Sequence, residues 1–207
     1  MDVYEAIYSR RDVRHFRAGP IDDAVLNRIL DAAHHAGSVG FMQPWNFIVI
    51  RDIDTRRRVK SLFEQENARA AENYNGPRRQ LYDSLKLEGI LESTVNLCVT
   101  CDRSRAGPVL GRNTIIDADL YSTCCAVQNL WLASRAEGVG VGWVSIFEPQ
   151  ALTELLSLPE TVVPVAYLCV GYPQEFRDRP MLEEVGWRER LPLDQVVYYE
   201  RWGQAKR

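Results

Sequence analysis

The sequence predicts one domain of mixed helix and sheet, of the α/β or α+β class. Two observations carry this expectation. Short apolar runs alternate with longer segments whose apolar residues recur at helical spacing. The 207 residues, 46% of them hydrophobic, suit one domain with a sizeable core. The domain is taken as residues 1–207, with about 171–207 as a C-terminal extension.

The elements follow in order. Asp2 can cap a short helix through Tyr8. Asp22 can cap a second, with Val25, Leu26, Ile29, Leu30 and Ala33 on one stripe and Gly37 past its end. The apolar run 46–51 reads as a buried strand. A polar helical region starts at Asp54, breaks at Asn75-Gly76-Pro77 and resumes to about Glu92. Residues 94–100 read as a strand. A long helix spans 117–137, with Leu120, Cys124, Val127, Leu130 and Trp131 on its apolar stripe, and Gly138 stops it. Runs 141–147 and 162–170 are further strands, separated by a short helix near 149–156. The remainder is rich in proline, arginine and aromatics. Its Phe176, Met181, Trp187, Val196, Val197, Tyr198, Tyr199 and Trp202 need a surface to cover, which an arm exchanged between two copies would provide.

Composition excludes several classes. With 25 basic and 28 acidic residues, the net charge of −3 gives no field that draws the chain to nucleic acid or anionic membrane. The longest apolar run, 162–170, is interrupted by Pro164 and is far short of the ~20 residues a membrane-spanning helix needs. The N-terminus lacks a basic-then-apolar signal pattern, so a cytoplasmic protein is expected. The five cysteines lie in apolar stretches and are expected as buried thiols. Cys98 and Cys101 sit three apart on a strand and point to opposite sides, so no metal or redox pair is expected there. His34 and His35 diverge by about 100° on a helix, which disfavours a shared zinc. Serine-hydrolase, P-loop and EF-hand patterns are absent.

Three stretches could carry chemistry. The first, 9–17, holds four arginines in nine residues, and arginine's planar fork suits phosphate. Asp12 among them is expected to have a lowered pKa. The second, Gly37 to Phe47, is a small-residue loop followed by Gln43-Pro44-Trp45, able to bring backbone N–H groups close to a ligand. The third is Gly138-Val-Gly-Val-Gly142-Trp143-Val-Ser145. It follows a helix and opens none, which argues against a dinucleotide fingerprint.

Together and in this order, these stretches resemble the nitroreductase-like flavoprotein family, with its S-R-R-x-x-R, P-W-N-F and G-V-G-x-G-W segments. Segments 10–14, 38–47, 84–89, 99–103, 128–132, 137–146 and 186–193 are similar to one branch, whose members make 5,6-dimethylbenzimidazole from reduced FMN. The resemblance spans nearly the whole chain. It implies an α+β fold with a central, mostly antiparallel sheet flanked by helices, and a homodimer with FMN at the subunit interface and the C-terminal arm exchanged.

The resemblance also implies roles. Arg10, Arg11 and Arg14, with Val13 between them, would hold the FMN phosphate, ribityl chain and anionic ring edge, and Arg188 and Arg190 would complete the phosphate site. Ser38, Met42 and Gln43 would lie along the isoalloxazine. Gly40 would present its backbone N–H to dioxygen. Asp12 would be the essential carboxylate, and Ser145 its partner hydroxyl near the ribityl chain. Residues 74–87 would form a lid. Reduced FMN would be the substrate, supplied by a separate flavin reductase. Dioxygen would oxidise it, and the ribityl C1′–C2′ bond would break to release erythrose 4-phosphate. No metal takes part. Two alternatives stay open: an NAD(P)H-dependent nitroreductase or dehalogenase that keeps FMN intact, and a non-catalytic flavin-binding protein.

Overall fold

The computed structural model describes residues 1–105, 107–108 and 110–204. Helix α1 (Val3–Ser9) starts where the Asp2 carboxylate accepts the Glu5 N–H at 2.8 Å. Helix α2 (Asp23–His34) is capped likewise by Asp22, and α3 (Ile53–Ala71) by Asp52, two residues before the expected start. Strand β1 (Trp45–Ile50) joins α2 to α3. Helix α4 (Gly76–Ser84) follows the Asn-Gly-Pro break. Then come β2 (Val95–Asp102), α5 (Ala118–Ala136), β3 (Gly140–Val144), α6 (Pro149–Leu155) and β4 (Val162–Gly171). A single-turn helix, α7 (Met181–Glu184), lies in the tail.

The four strands form one sheet in the order β1-β2-β4-β3, with every pair antiparallel. Both faces are covered. Leu97, Val99, Val141 and Leu168 pack with α2 and α5 through Leu26, Ile29, Val127 and Leu130. Cys98, Tyr167 and Cys169 pack on the other face with Val59 and Phe63 of α3 and Leu152 of α6. Strand β2 is therefore buried along almost its whole length instead of alternating between buried and exposed, its polar Asn96 and Thr100 included. Pro164 sits in β4 opposite Thr100, where the register shifts between Val99 and Thr100 and β3 no longer pairs. A residue without an N–H is tolerated at such an irregularity.

Two expectations are corrected. The helix after residue 76 ends at Ser84 instead of running to Glu92. Long-range polar contacts overrule local propensity there. The Glu88 carboxylate takes the Ile90 N–H at 2.6 Å and the Lys60 ammonium at 2.7 Å. Buried Arg56 donates to the Ile90 and Ser93 carbonyls. The second correction concerns the cysteines: Cys98, Cys101 and Cys169 are buried, but Cys124 and Cys125 are exposed on α5. The buried stripe of α5 runs through Ser122, Ala126, Val127 and Leu130; Cys125 falls on the opposite side of the helix, and Cys124, about 20° round from Trp131, lies just past the edge of the stripe.

The chain divides into two compact units, Met1–Phe176 and Arg177–Arg207. The first holds all four strands and both core clusters. In the second, none of the described residues is buried.

Candidate active site

Strand β3 has a free edge, and the segment after α1 lies along it. The Val13 N–H donates to the Val141 carbonyl at 2.9 Å, and Asp12 bridges Val141 in parallel. One step on, the ladder changes partner: the Trp143 N–H donates to Asp12 Oδ1 at 2.8 Å. A side-chain carboxylate stands in for a backbone acceptor, which fixes its position to the sheet. The glycines of the third stretch make this approach possible. A Cβ at Gly142 would lie 2.1 Å from the Val13 carbonyl oxygen, and one at Gly140 would lie 2.9 Å from the Val13 side chain. The G-x-G spacing serves close backbone packing.

Asp12 Oδ2 also accepts from Arg14 Nη2. The Asp12 side chain is 41% accessible in the isolated chain, so its open side faces out while dense protein lies beneath. Its carboxyl nevertheless sits above the ordinary carboxylate value, reversing the sequence expectation. Desolvation by the surrounding protein is the largest influence and raises it; Arg14, the Trp143 N–H and Arg10 pull it back. The sequence displays the neighbouring charges but not the desolvation.

The arginines take different stations. Arg10 places its guanidinium 4.5 Å from the Trp131 ring centroid, a cation–π contact. Arg11 turns back on its own chain, donating to the Tyr8 and Arg10 carbonyls at 2.8 and 2.7 Å. Trp131 Nε1–H donates to the Arg11 carbonyl at 3.1 Å, and Arg135 Nε to that of Ser9 at 3.2 Å. Arg14 is largely buried. Its Nε and Nη1 have no hydrogen-bond partner among the described residues. Unused buried donors beside a carboxylate fit an anionic or acceptor-rich ligand such as the pyrimidine edge and phosphate of a flavin nucleotide.

Ser145 lies one residue past β3, two beyond Trp143. It is exposed, and its hydroxyl makes no hydrogen bond to the described residues. It is available to a ligand along the same edge as Asp12.

Loop 37–44 is a separate construction. Ser38 Oγ accepts the Gln43 N–H at 3.1 Å, and Ser122 Oγ of α5 accepts the Val39 N–H at 3.1 Å. Gly40, Phe41 and Gln43 have φ of 58°, 52° and 46°. Three residues of four therefore sit in the left-handed region, two of them without glycine's freedom. Met42 is buried against Ala118, away from solvent, while Phe41 is 83% exposed. Met42 thus packs as core in this chain rather than offering an open face. The loop meets α5 at Ser122 and the Asp12 segment meets it at Trp131, nine residues later, or about 14 Å of helix. Arg188 and Arg190 belong to the second unit, between α7 and Leu193.

Sequence reading missed Trp131 and Ser122 as parts of the site. A tryptophan on an otherwise aliphatic buried stripe is a usable signal, since its indole N–H needs an acceptor. Ser122 bonds the Ala118 carbonyl within α5 and leaves no comparable trace. The other expected bystanders have structural work. His34 Nδ1 accepts the Trp45 indole N–H at 3.1 Å. Burial pushes the thiols of Cys98 and Cys169 up to about 12, so neither is a thiolate near neutrality.

Known proteins are similar to this chain over most of its length. A family model described as the nitroreductase family matches residues 7–172. The 5,6-dimethylbenzimidazole synthase of Rhodospirillum rubrum is 42% identical over 193 residues, covering 92% of each chain. A protein of the same name from Rhodobacter capsulatus is 40% identical over 191 residues, again 92% of each. Among solved structures, iodotyrosine deiodinase bound to FMN and 3-iodo-L-tyrosine superimposes with a TM-score of 0.75 at 20% identity, covering 97% of this chain and 99% of that one. A BluB-like flavoprotein from Clostridium difficile gives 0.73 at 16% identity, covering 97% and 100%. Those two share the fold. Since the family model and the 42% relative each span most of the sequence, the chain belongs to the nitroreductase family.

Proposed function

We propose that this chain fragments reduced FMN with dioxygen to 5,6-dimethylbenzimidazole and erythrose 4-phosphate, supplying the lower ligand of vitamin B12. The observation that carries the reading is the 37–42% identity to three relatives named for this synthesis, each match covering 92% of this chain. The geometry at β3 makes it chemically workable.

The flavin is substrate here and supplies the reducing electrons and every carbon of the products; its four remaining pyrimidine carbons leave as dialuric acid, C4H4N2O4, which closes the atom count with both atoms of dioxygen. Arg14 offers its unpartnered guanidinium nitrogens to the anionic edge. Arg10 and Arg11 line the approach, the buried Val13 anchors the segment on Gly140, and Arg188 and Arg190 are further phosphate ligands. Asp12 is held by the Trp143 N–H and Arg14, so its carboxylate stays fixed while it moves protons at the ribityl C1′ and C2′. Its raised pKa brings it closer to the pH at which a carboxylate can both accept and return a proton. Ser145 donates its hydroxyl to the ribityl chain. Ser38 and Gln43 shape the ring side, with Met42 packed beneath them against Ala118, and the Gly40 N–H faces dioxygen. Helix α4 and its flanks, 74–87, close over the ring and exclude water.

A homodimer completes the site. The two constructions meet α5 at points about 14 Å apart along its axis. Apolar and thiol side chains are exposed around the loop and α5: Val39, Phe41, Tyr121, Cys124 and Cys125. A second copy covers this face and presents its own loop to the first copy's Asp12. The tail, with Leu191, Leu193, Val196 and Trp202 exposed, is the arm that crosses. A separate reductase supplies reduced FMN.

A single-turnover reaction tests the proposal. Anaerobically reduced FMN is mixed with the protein, air is admitted, and products are separated by chromatography and mass spectrometry. Dimethylbenzimidazole is expected. Intact oxidised FMN alone, with NAD(P)H consumed when a nitroaromatic is added, would replace the reading by a conventional reductase.

A further inference from the structure

We propose that Arg105 is a positioning residue for the flavin-facing loop, acting through the backbone of Gln43 to Asn46. The inference rests on the functional reading above for what the loop faces, and on geometry for how it is held.

The β1–β2 ladder ends at Trp45, opposite Cys101. The preceding Pro44 has no N–H, and its carbonyl accepts the last rung from the Asp102 N–H at 2.8 Å. Beyond it the chain must leave the sheet and turn through left-handed Gln43. Arg105 spans this point. Its Nη1 donates to the Gln43 and Trp45 carbonyls, at 2.8 Å each, and its Nη2 to Asn46 Oδ1 at 2.5 Å. One planar fork thus engages three acceptors on three residues. Asp102 steadies the fork from 3.7 Å, and Asn46 Nδ2 donates to Thr100 Oγ1 at 3.3 Å.

A left-handed, non-glycine residue persists only where its surroundings over-determine it. At Gln43 the surroundings are Ser38 Oγ on its N–H and Arg105 on its carbonyl. Removing the guanidinium leaves the Ser38 contact on the Gln43 N–H and a long 3.4 Å bond from Gln43 Nε2 to the Phe41 carbonyl, with nothing on the Gln43 carbonyl from outside the loop, so the Gln43 peptide relaxes. The Gly40 N–H, Ser38 hydroxyl and Gln43 amide then lose their common alignment. The expected consequence is misdirection of the reaction rather than loss of binding. The two electrons of reduced FMN pass to dioxygen, giving intact oxidised FMN and hydrogen peroxide, a balanced route that needs no bond cleavage in the ribityl chain. Lysine cannot substitute, because a single ammonium lacks the fork geometry.

The test compares Arg105→Met, Arg105→Lys, Asn46→Leu and Asn46→Asp with the unsubstituted full-length protein. Three readouts are taken: amide hydrogen exchange across 38–46 without flavin, affinity for oxidised FMN, and the ratio of dimethylbenzimidazole to hydrogen peroxide. Both Arg105 variants are expected to raise exchange across 38–46 by about tenfold or more, as loss of charge-assisted hydrogen bonds predicts. The α3 peptides stay unchanged, FMN affinity changes little, and the product ratio falls by a similar factor. Asn46→Asp keeps an acceptor for Nη2 and retains the ratio, while Asn46→Leu lowers it. Unchanged exchange in both Arg105 variants would overturn the proposal, as would raised exchange with an unchanged product ratio. If Arg105→Met fails to fold, Arg105→Lys, which retains charge and stem, decides. If the unsubstituted protein makes no dimethylbenzimidazole, the functional reading fails. The positioning claim is then decided by exchange, with unchanged exchange overturning it.

Discussion

Two constructions meet one helix and are built in opposite ways. Along β3, the Asp12 segment is stitched into the sheet by backbone pairing, with Gly140 and Gly142 cut down so that it can lie flat. At the other end of α5, loop 37–44 belongs to no ladder. It turns through three left-handed residues and is held by its own Ser38 and, from outside, by Ser122 and Arg105. The first construction places one carboxylate rigidly. The second keeps a strained shape that presents backbone groups. In the function proposed above, bond-breaking chemistry falls to the sheet edge and control of the reaction's course to the loop.

Breaking the sheet-edge side should have the largest effect. Asp12→Asn keeps the shape and one acceptor oxygen but removes proton transfer. Product formation is expected to fall by about 10²–10⁴-fold with reduced-FMN binding retained, measured by single-turnover chromatography and titration. Unchanged turnover would remove Asp12 from the chemistry.

Gly142→Ala attacks the same side through packing. Its Cβ would sit 2.1 Å from the Val13 carbonyl oxygen, so the Asp12 segment must move. A loss of about 1–3 kcal/mol in chemical denaturation is expected, together with lost activity. Gly37→Ala is the control, since nothing lies within 4 Å of its added Cβ and its φ is not left-handed. Ser145→Ala should slow product formation by about tenfold, the scale of one lost hydrogen bond, without changing stability.

The smallest effect is in pH dependence. Because folding raises the Asp12 pKa, its contribution to stability is present at low pH. It is lost as pH climbs from the unfolded value of about 3.9 through the raised one. Ionisation over that same window switches on a reaction that needs the carboxylate. The acid limb of the rate profile should therefore lie above the ordinary carboxylate range. Arg14→Met, which removes a lowering influence, should move it further up. An acid limb at or below the ordinary value would show that desolvation does not dominate.

Much of the fold was legible because it is written in local chemistry. Asp2 and Asp22 announce their helices, Gly138 ends α5 with φ of 72°, and β2 reads as a strand. What escaped depends on distant partners. Residues 85–94 leave the helix because Arg56 and Lys60, some thirty positions earlier, supply better partners. Cys124 is exposed although it lies only about 20° round α5 from Trp131, because the buried stripe stops at that tryptophan. Within the site, the Asp12, Arg14 and Ser145 stretches could be picked out by residue type and resemblance. The reason for Gly142 could not, since it is a carbonyl 129 positions away, and neither could the direction of the Asp12 pKa, which is set by desolvation.

The most direct test of the central claim follows one atom. FMN carrying ¹³C at the ribityl C1′ is reduced, mixed with the protein under air, and the products are analysed by mass spectrometry and NMR. The account predicts the label at C2 of dimethylbenzimidazole, between the two nitrogens, with unlabelled erythrose 4-phosphate released. Label retained in intact FMN, or found in the sugar phosphate, would contradict cleavage of the C1′–C2′ bond at Asp12.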